Sequence, residues 1–279
     1  MYQSNHSTRV RVCFILLTAT WILFLNRVLL RSTFLNVAHE ESTSHSLEFS
    51  KKVPESCGAV RWSRRNLPVT GLVSFPGSGN TWLRFLIQEA TGVYTGSEYH
   101  DTELRMRGFL AEGVANSSTI VVKTHGSDVI TRDRYEKAVL LIRHPKGAIK
   151  AEFNRIYGGG HKSTATPDFF EKYWPEFYSD HQRAWVRFHE DWQTYRRPLL
   201  VVLYRDLVQQ TSVQLREVLT FLKADVDEER LNCAVACGNV TRRPTSSQLP
   251  VHVTDNNQSV DAIYQHVINI FKKSTEAGS

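Results

Sequence analysis

"LPVTGLVSFPGSGNTWLRFLIQEATG", Leu67 to Gly92, is the stretch on which the fold turns. An apolar, β-branched run enters a glycine turn at Gly77 and Gly79, and the turn opens directly into an amphipathic helix expected over Asn80–Thr91. Such a layout aims successive backbone N–H groups and a helix N-terminus at one point, which makes an anion cradle. The loop that holds nucleoside triphosphates reads G-x-x-x-x-G-K-[ST]. Aligned on Gly79, this chain has Ser74 at the first position and Asn80 in place of the lysine. The cradle is kept; the cation that serves a γ-phosphate is not.

Outward from this stretch the pattern alternates. "LPVTGLVSF", "TIVVKT", "KAVLLI" and "PLLVVLY" read as strands, and helices are expected at Pro145–Tyr157, Asp180–Tyr195, Ser212–Leu222, Asp227–Cys237 and Ser259–Lys272. Near-continuous apolar strands alternating with helices imply a parallel α/β sheet, like that of P-loop NTPases, with helices on both faces. Ligands of such sheets bind at the C-terminal strand ends.

The chain has 279 residues, enough for one sizeable domain and appendages. Its 34 Lys and Arg against 28 Asp and Glu leave a net charge of +6, which suits an anionic ligand or a membrane surface. The basic residues are scattered and no nucleic-acid-reading motif appears, so a nucleic-acid partner is not expected.

"VCFILLTATWILFL" (Val12–Leu25) is uncharged, and the apolar tract resumes after Arg27 to Leu30. Spanning takes about 20 residues, so Val12–Leu30 is expected to cross the membrane with Arg27 snorkelling outward. Arg9 and Arg11 hold a cytosolic tail, residues 1–11; a polar stem, 31–66, leads to a lumenal domain, 67–279. A cleaved signal peptide also fits the apolar length, although no A-x-A site follows. The expectation is a single-pass type II glycoprotein of the Golgi membrane, with sequons that begin at Asn116, Asn239 and Asn257, of which Asn116 is expected to be modified readily and Asn239 poorly. In an oxidising lumen Cys57, Cys233 and Cys237 give one disulfide and one thiol, with Cys57–Cys233 the expected bridge. Cys233 and Cys237 make half a metal site at most; no second pair accompanies them, and no metal is expected.

At the strand ends the chain resembles sulfotransferases that use 3′-phosphoadenosine 5′-phosphosulfate (PAPS). "SFPGSGNTW" (Ser74–Trp82) resembles their 5′-phosphosulfate loop, and "VVKTH" (Val121–His125) a strand end that carries a lysine and a histidine. "LLIRHPKGAIKAEFNR" (Leu140–Arg155) resembles the 3′-phosphate element, and "VVLYRDL" followed by "VLTFLKADVDEERL" a later segment of the same fold. With "PGSGNTW", "KTH", "AEFNR" and "YGG" in register, the similarity is to the sulfotransferase domain of WSC-domain-containing sulfotransferases, without the WSC modules.

That resemblance implies an enzyme moving the sulfonyl group of PAPS, without a metal, to a hydroxyl of a glycan, with sialic acid the leading acceptor. It implies that Pro76, Gly77, Ser78, Gly79, Asn80, Thr81 and Trp82 hold the 5′-phosphate, and that Arg143 with Arg242 and Arg243 of "NVTRRP" holds the 3′-phosphate. Ala151 stands where a serine usually joins the arginine, and Gly77 where many members place a lysine. Lys123 and His125 leave one strand end on the same face. His125 is expected to take the acceptor proton and Lys123 to replace the missing cation, with Gly77→Lys recovering part of the activity lost without Lys123. Trp185, Phe188, Trp192 and Tyr195 recur at helical spacing and read as core, while Tyr173, Trp174 and Phe177, near the glycines of Tyr157–Lys162, read as an acceptor-side lid. Two rivals stand beside the transferase. One is a non-catalytic PAPS-binding module, prompted by Gly77. The other is a metal-dependent glycosyltransferase, prompted by "DVD" at Asp225–Asp227, where Asp227 is more simply a helix N-cap.

Overall fold

The computed structural model describes residues 57–161, 163–241 and 257–276. The membrane tract at 12–30, most of the stem, and Arg242 and Arg243 lie outside them. Among the described residues no helix is long and apolar enough to cross a membrane.

Five parallel strands form one sheet: β1 (Thr70–Ser74), β2 (Gly96–Ser97), β3 (Val122–Thr124), β4 (Lys137–Ile142) and β5 (Leu199–Leu203), in the spatial order β2-β3-β1-β4-β5. The expected parallel α/β sheet is present, and the two-residue β2 is an addition that the sequence pattern did not signal. Alternation along each strand sends side chains to opposite faces. Val73, Val122, Leu140 and Ile142 join one apolar cluster; Leu72, Val121, Val139 and Leu141 join another.

Each cluster has its own helical layer. The second is covered by α1 (Asn80–Thr91), α7 (Thr211–Leu222) and α8 (Glu228–Thr241) through Leu83, Leu86, Leu215, Leu219 and Leu231. The first is covered by α4 (Pro145–Tyr157), α5 (Pro167–Gln193) and α9 (Asn257–Glu276). Short helices α2 (Thr102–Met106), α3 (Val129–Asp133) and α6 (Tyr204–Gln209) complete the chain. Asp227 caps α8, its Oδ1 accepting from the N–H groups of Glu229 (2.9 Å) and Arg230 (3.1 Å). That is the N-cap reading, and it employs the carboxylate on which the glycosyltransferase reading depended.

One element corrects the sequence reading. The helix expected from Asp180 begins thirteen residues earlier, at Pro167, and runs through Pro175. Proline removes one helical hydrogen bond and crowds the preceding turn, which normally ends a helix. Here the aromatic side of the helix holds it in place. Phe153 of α4 packs against Phe170, Trp174 and Phe177, with ring centroids 4.5, 5.3 and 5.1 Å away. The lid assignment changes accordingly. Trp174 is 1% exposed and belongs to the core, while Tyr173 and Phe177 are half-buried against it. Trp185, Phe188 and Trp192 are buried as expected, and Tyr195 packs at the edge.

Cys57 and Cys233 form the expected disulfide, closing a separation of 176 residues. Cys237 is a buried thiol whose Sγ lies 3.7 Å from that of Cys57. Losing a bridge across so long a loop typically costs about 2–5 kcal/mol. Cys57→Ser is therefore expected to lower stability by about that much in a denaturant titration of oxidised protein. Cys233→Ser should cost less, because Cys57 can pair with Cys237. Equal losses in the two variants would refute the substitution of one thiol for the other.

Candidate active site

The cradle is built where β1 runs into α1. Ser78 N–H donates to Phe75 O (3.2 Å) to close the turn, and Gly79 N-caps the helix at φ +97°. Among the described residues the N–H groups of Gly77, Gly79, Asn80 and Thr81 have no protein acceptor, and the buried Ser78 Oγ has no hydrogen-bond partner. Four clustered N–H groups, a hydroxyl and the positive end of a twelve-residue helix fit an anionic phosphate.

Asn80 explains how the loop keeps its shape without the lysine. Its Nδ2 donates to Leu72 O (2.9 Å) and Ser74 Oγ (3.1 Å), so the side chain is stapled to β1, with its buried Oδ1 left unpartnered among the described residues. Trp82 is likewise a packing residue: its Nε1 donates to Gly238 O (3.0 Å) on α8 and its ring meets Tyr204 edge-on.

Gly77 is held by its surroundings. It sits at φ +77°, where a Cβ would lie 2.1 Å from Ala148 O and 3.0 Å from Glu152 N. Both neighbours are backbone atoms of α4, which seats directly on the loop. A lysine therefore has no room here, and the expected rescue by Gly77→Lys is overturned. Arg143, at the end of β4, reaches the same spot from the other side. Its Nη1 donates to Gly77 O (2.8 Å), and its guanidinium lies 4.4 Å from the centroid of the Tyr204 ring.

Beside the cradle, β3 ends in Lys123–Thr124–His125. His125 Nδ1 lies 2.6 Å from Ser74 O. A carbonyl oxygen only accepts, so Nδ1 carries the proton and Nε2 keeps its lone pair. Burial, with the Lys123 ammonium nearby, pushes this imidazole down to about 3, so it is neutral at any physiological pH. A ring with a fixed tautomer and a free Nε2 lone pair can accept a proton from a hydroxyl, but at about 3 it is a weaker base than an ordinary histidine, so its contribution rests on position.

Lys123 is 6% exposed. Burial pushes its ammonium down to about 8, and the Arg84 guanidinium adds to that shift. Arg84 is itself buried, bound to Glu112 (2.5 Å), to Thr95 O (2.9 Å) and over the Phe109 ring (4.5 Å). Farther out, His161 Nε2 meets Asp101 Oδ2 (2.7 Å), which ties the glycine turn after α4 to the N-cap of α2.

The structure thus gathers Gly77 to Thr81, Arg143, Lys123 and His125 at the C-terminal end of the sheet. Sequence reasoning missed Ser74, whose carbonyl sets the His125 tautomer, and Tyr204, which packs on both Gly79 and Arg143. It also missed Tyr99, which lies against His125. Contacts between distant segments carry no local sequence signal: Tyr204 lies within the quoted "VVLYRDL", but nothing local marks its packing, and Tyr99 lies in no motif.

Residues 136–228 match the model of the sulfotransferase family. WSCD family member CG9164 of Drosophila melanogaster is 45% identical over 194 residues, which cover 67% of this chain and 60% of that protein. WSCD family member GA21586 of Drosophila pseudoobscura pseudoobscura is 46% identical over 172 residues, covering 60% and 54%. The chain thus spans between half and two thirds of the length of these relatives. Among solved structures, mouse sulfotransferase SULT7A1 complexed with PAP aligns over 81% of this chain and 94% of its own, with a TM-score of 0.50 and 14% identity, a likeness of fold alone.

Proposed function

Since the chain carries a domain of the sulfotransferase family, we propose that it is an active, PAPS-dependent enzyme sulfating a hydroxyl of a glycan acceptor. The observation that carries this reading is His125: a neutral imidazole with a fixed tautomer and a free Nε2, hydrogen-bonded to the last residue of the strand that feeds the cradle. A binding module has no use for a base held beside its phosphate site.

The donor substrate supplies the sulfonyl group; the chain's residues hold it and handle charge and proton. Gly77, Gly79, Asn80 and Thr81 hold the 5′-phosphate through backbone N–H groups and Ser78 through its hydroxyl, and Arg143, with Arg242 and Arg243, holds the 3′-phosphate. His125 Nε2 takes the proton as the acceptor oxygen bonds to sulfur and the bond from sulfur to the 5′-phosphate oxygen breaks, the desulfated nucleotide leaving. Lys123 supplies the positive charge that the loop lacks, an electrostatic contribution largest in the transition state. The leading acceptor is a sialic acid hydroxyl, and the setting is the secretory pathway, in a type II Golgi membrane protein anchored through residues 12–30. The exposed Asn116 supports that setting. It sits in a turn where its Oδ1 accepts from the Ser118 N–H (3.0 Å) and hydroxyl (2.6 Å), within its own sequon.

Transfer of ³⁵S from labelled PAPS to a panel of glycans, sialylated ones included, tests the reading. Labelled acceptor is the expected result, and donor binding without label on any acceptor would return the chain to a binding module. The assay also tests Lys123. In the ligand-free site the ammonium is charged below about pH 8 and neutral above it, so kcat/KM is expected to fall as pH rises through about 8. Lys123→Ala should lose about 10²–10³ in kcat, with donor affinity little changed, and should lose that alkaline limb. An unchanged alkaline limb in the variant would assign the charge elsewhere.

A further inference from the structure

We propose that Tyr99 is the positioning residue of this site, a clamp that fixes the His125 imidazole and the Lys123 ammonium relative to one another. The inference rests on the transferase reading for its consequence in catalysis but not for its geometry. Tyr99 stands just beyond β2, where Glu98 N–H donates to Lys123 O (3.1 Å) and so extends the sheet pairing by one step. The Tyr99 hydroxyl accepts from the His125 backbone N–H (2.8 Å). Its ring stacks on the imidazole at 5.5 Å and 29°, and Lys123 Nζ lies 5.5 Å from its centroid. One side chain thus touches the backbone of His125, the ring of His125 and the cation of Lys123.

The ring contact has a definite job. The bond from Nδ1–H to Ser74 O restrains one point of the imidazole, about which it can still swing. A flat surface against the ring removes that freedom and keeps Nε2 aimed in one direction. Small displacements of a reacting group matter: about 1 Å can cost about 10²-fold in rate. The Tyr99 ring, itself 37% exposed, covers the imidazole face on which it stacks. The charged groups around that ring are Lys123 on β3, Arg84 on α1 and Arg155 on α4, with Glu98 beside Tyr99 itself. The three cations oppose protonation of the ring whether or not Tyr99 is present, so the part owed to Tyr99 is the cover it gives that face.

The test separates the ring from the hydroxyl and reads His125 directly. NMR titration of the His125 imidazole in the ligand-free, folded protein needs neither donor nor acceptor. Tyr99→Leu removes both ring and hydroxyl; the expected result is a His125 titration midpoint raised measurably from about 3 toward the ordinary histidine range. Tyr99→Phe keeps the ring, and its midpoint should stay near the wild-type value. In the ³⁵S assay kcat should fall about 10²-fold for Tyr99→Leu and less than about 10-fold for Tyr99→Phe, with donor affinity unchanged in both. A residue that merely packed the loop would lower the melting temperature and leave the midpoint where it was. An unmoved midpoint in folded Tyr99→Leu overturns the proposal, whatever the activity. A moved midpoint in a protein that sulfates no acceptor leaves the clamp standing and sinks the transferase reading. Should Tyr99→Leu fail to fold, Tyr99→Trp, which retains a flat ring without the hydroxyl, must keep the low midpoint, and a raised one refutes the clamp.

Discussion

His125→Asn is expected to lower kcat by about 10²–10⁴-fold, the range for loss of a positioned general base. The amide is short and polar, so it can still donate to Ser74 O and keep the strand end in place; what disappears is the Nε2 lone pair. Donor affinity should therefore hold within a few-fold, measured by calorimetry with PAPS or with the desulfated nucleotide. The wild-type pH profile supplies a second reading. With the imidazole of the ligand-free protein held near 3, its protonation removes the base only in strong acid, so no fall in kcat/KM traceable to His125 is expected between pH 5 and 7. A variant that turns over within a few-fold of wild type would mean that another group, or water, takes the acceptor proton.

Gly77→Ala is expected to abolish measurable donor binding and to lower the melting temperature. The left-handed backbone at φ +77° alone costs an L-residue about 1–2 kcal/mol. The larger effect is steric: the methyl group would lie 2.1 Å from Ala148 O, and only movement of α4 or of the loop itself can relieve it. Either movement breaks the bond from Arg143 Nη1 to Gly77 O, so both the cradle and the arginine beside it are displaced. Gly159→Ala is the control, since Gly159 shares the conformation at φ +80° but has nothing within 4 Å of an added Cβ. It should show the conformational cost alone, with donor affinity intact. If Gly77→Ala binds the donor as wild type does, the close seating of α4 on the loop is wrong. The same contact accounts for the absent lysine, since α4 fills the space a side chain at Gly77 would need.

Particular elements show how far the linear pattern could be read. The bounds of α1 at Asn80 and Thr91, of α4 at Pro145 and Tyr157, and of β4 at Lys137 and Ile142 were all legible. Each is marked by a local signal: Gly79 before α1 and Gly92 after it, Pro145 in the first turn of α4, and an unbroken apolar run for β4. α5 was not legible in full. Pro175 is a local stop signal, and the rings of α4 that override it come from another part of the chain. β2 was invisible because two residues, Gly96 and Ser97, carry no periodicity. At the site, the glycine turn could be named from its place between a strand and a helix, whereas Lys123, His125 and Arg143 could be named through the resemblance of "VVKTH" and "LLIRHPKGAIKAEFNR" to sulfotransferase motifs.

Their chemistry could not be named with them. That the proton of His125 sits on Nδ1 follows from the carbonyl of Ser74, 51 positions earlier in the chain, and that the ring is neutral follows from its burial beside Lys123. That Gly77 admits no side chain follows from Ala148 and Glu152, and that Lys123 is depressed to about 8 follows from its burial beside Arg84. The order of residues decided that a parallel sheet would place an anion cradle, a lysine, a histidine and an arginine at one edge, because strand and helix signals are local and the strands of such a sheet end together. Packing alone decided which of them stay neutral, which are charged and which have room to change, because charge state and steric fit depend on neighbours that only the folded chain brings within a few ångströms.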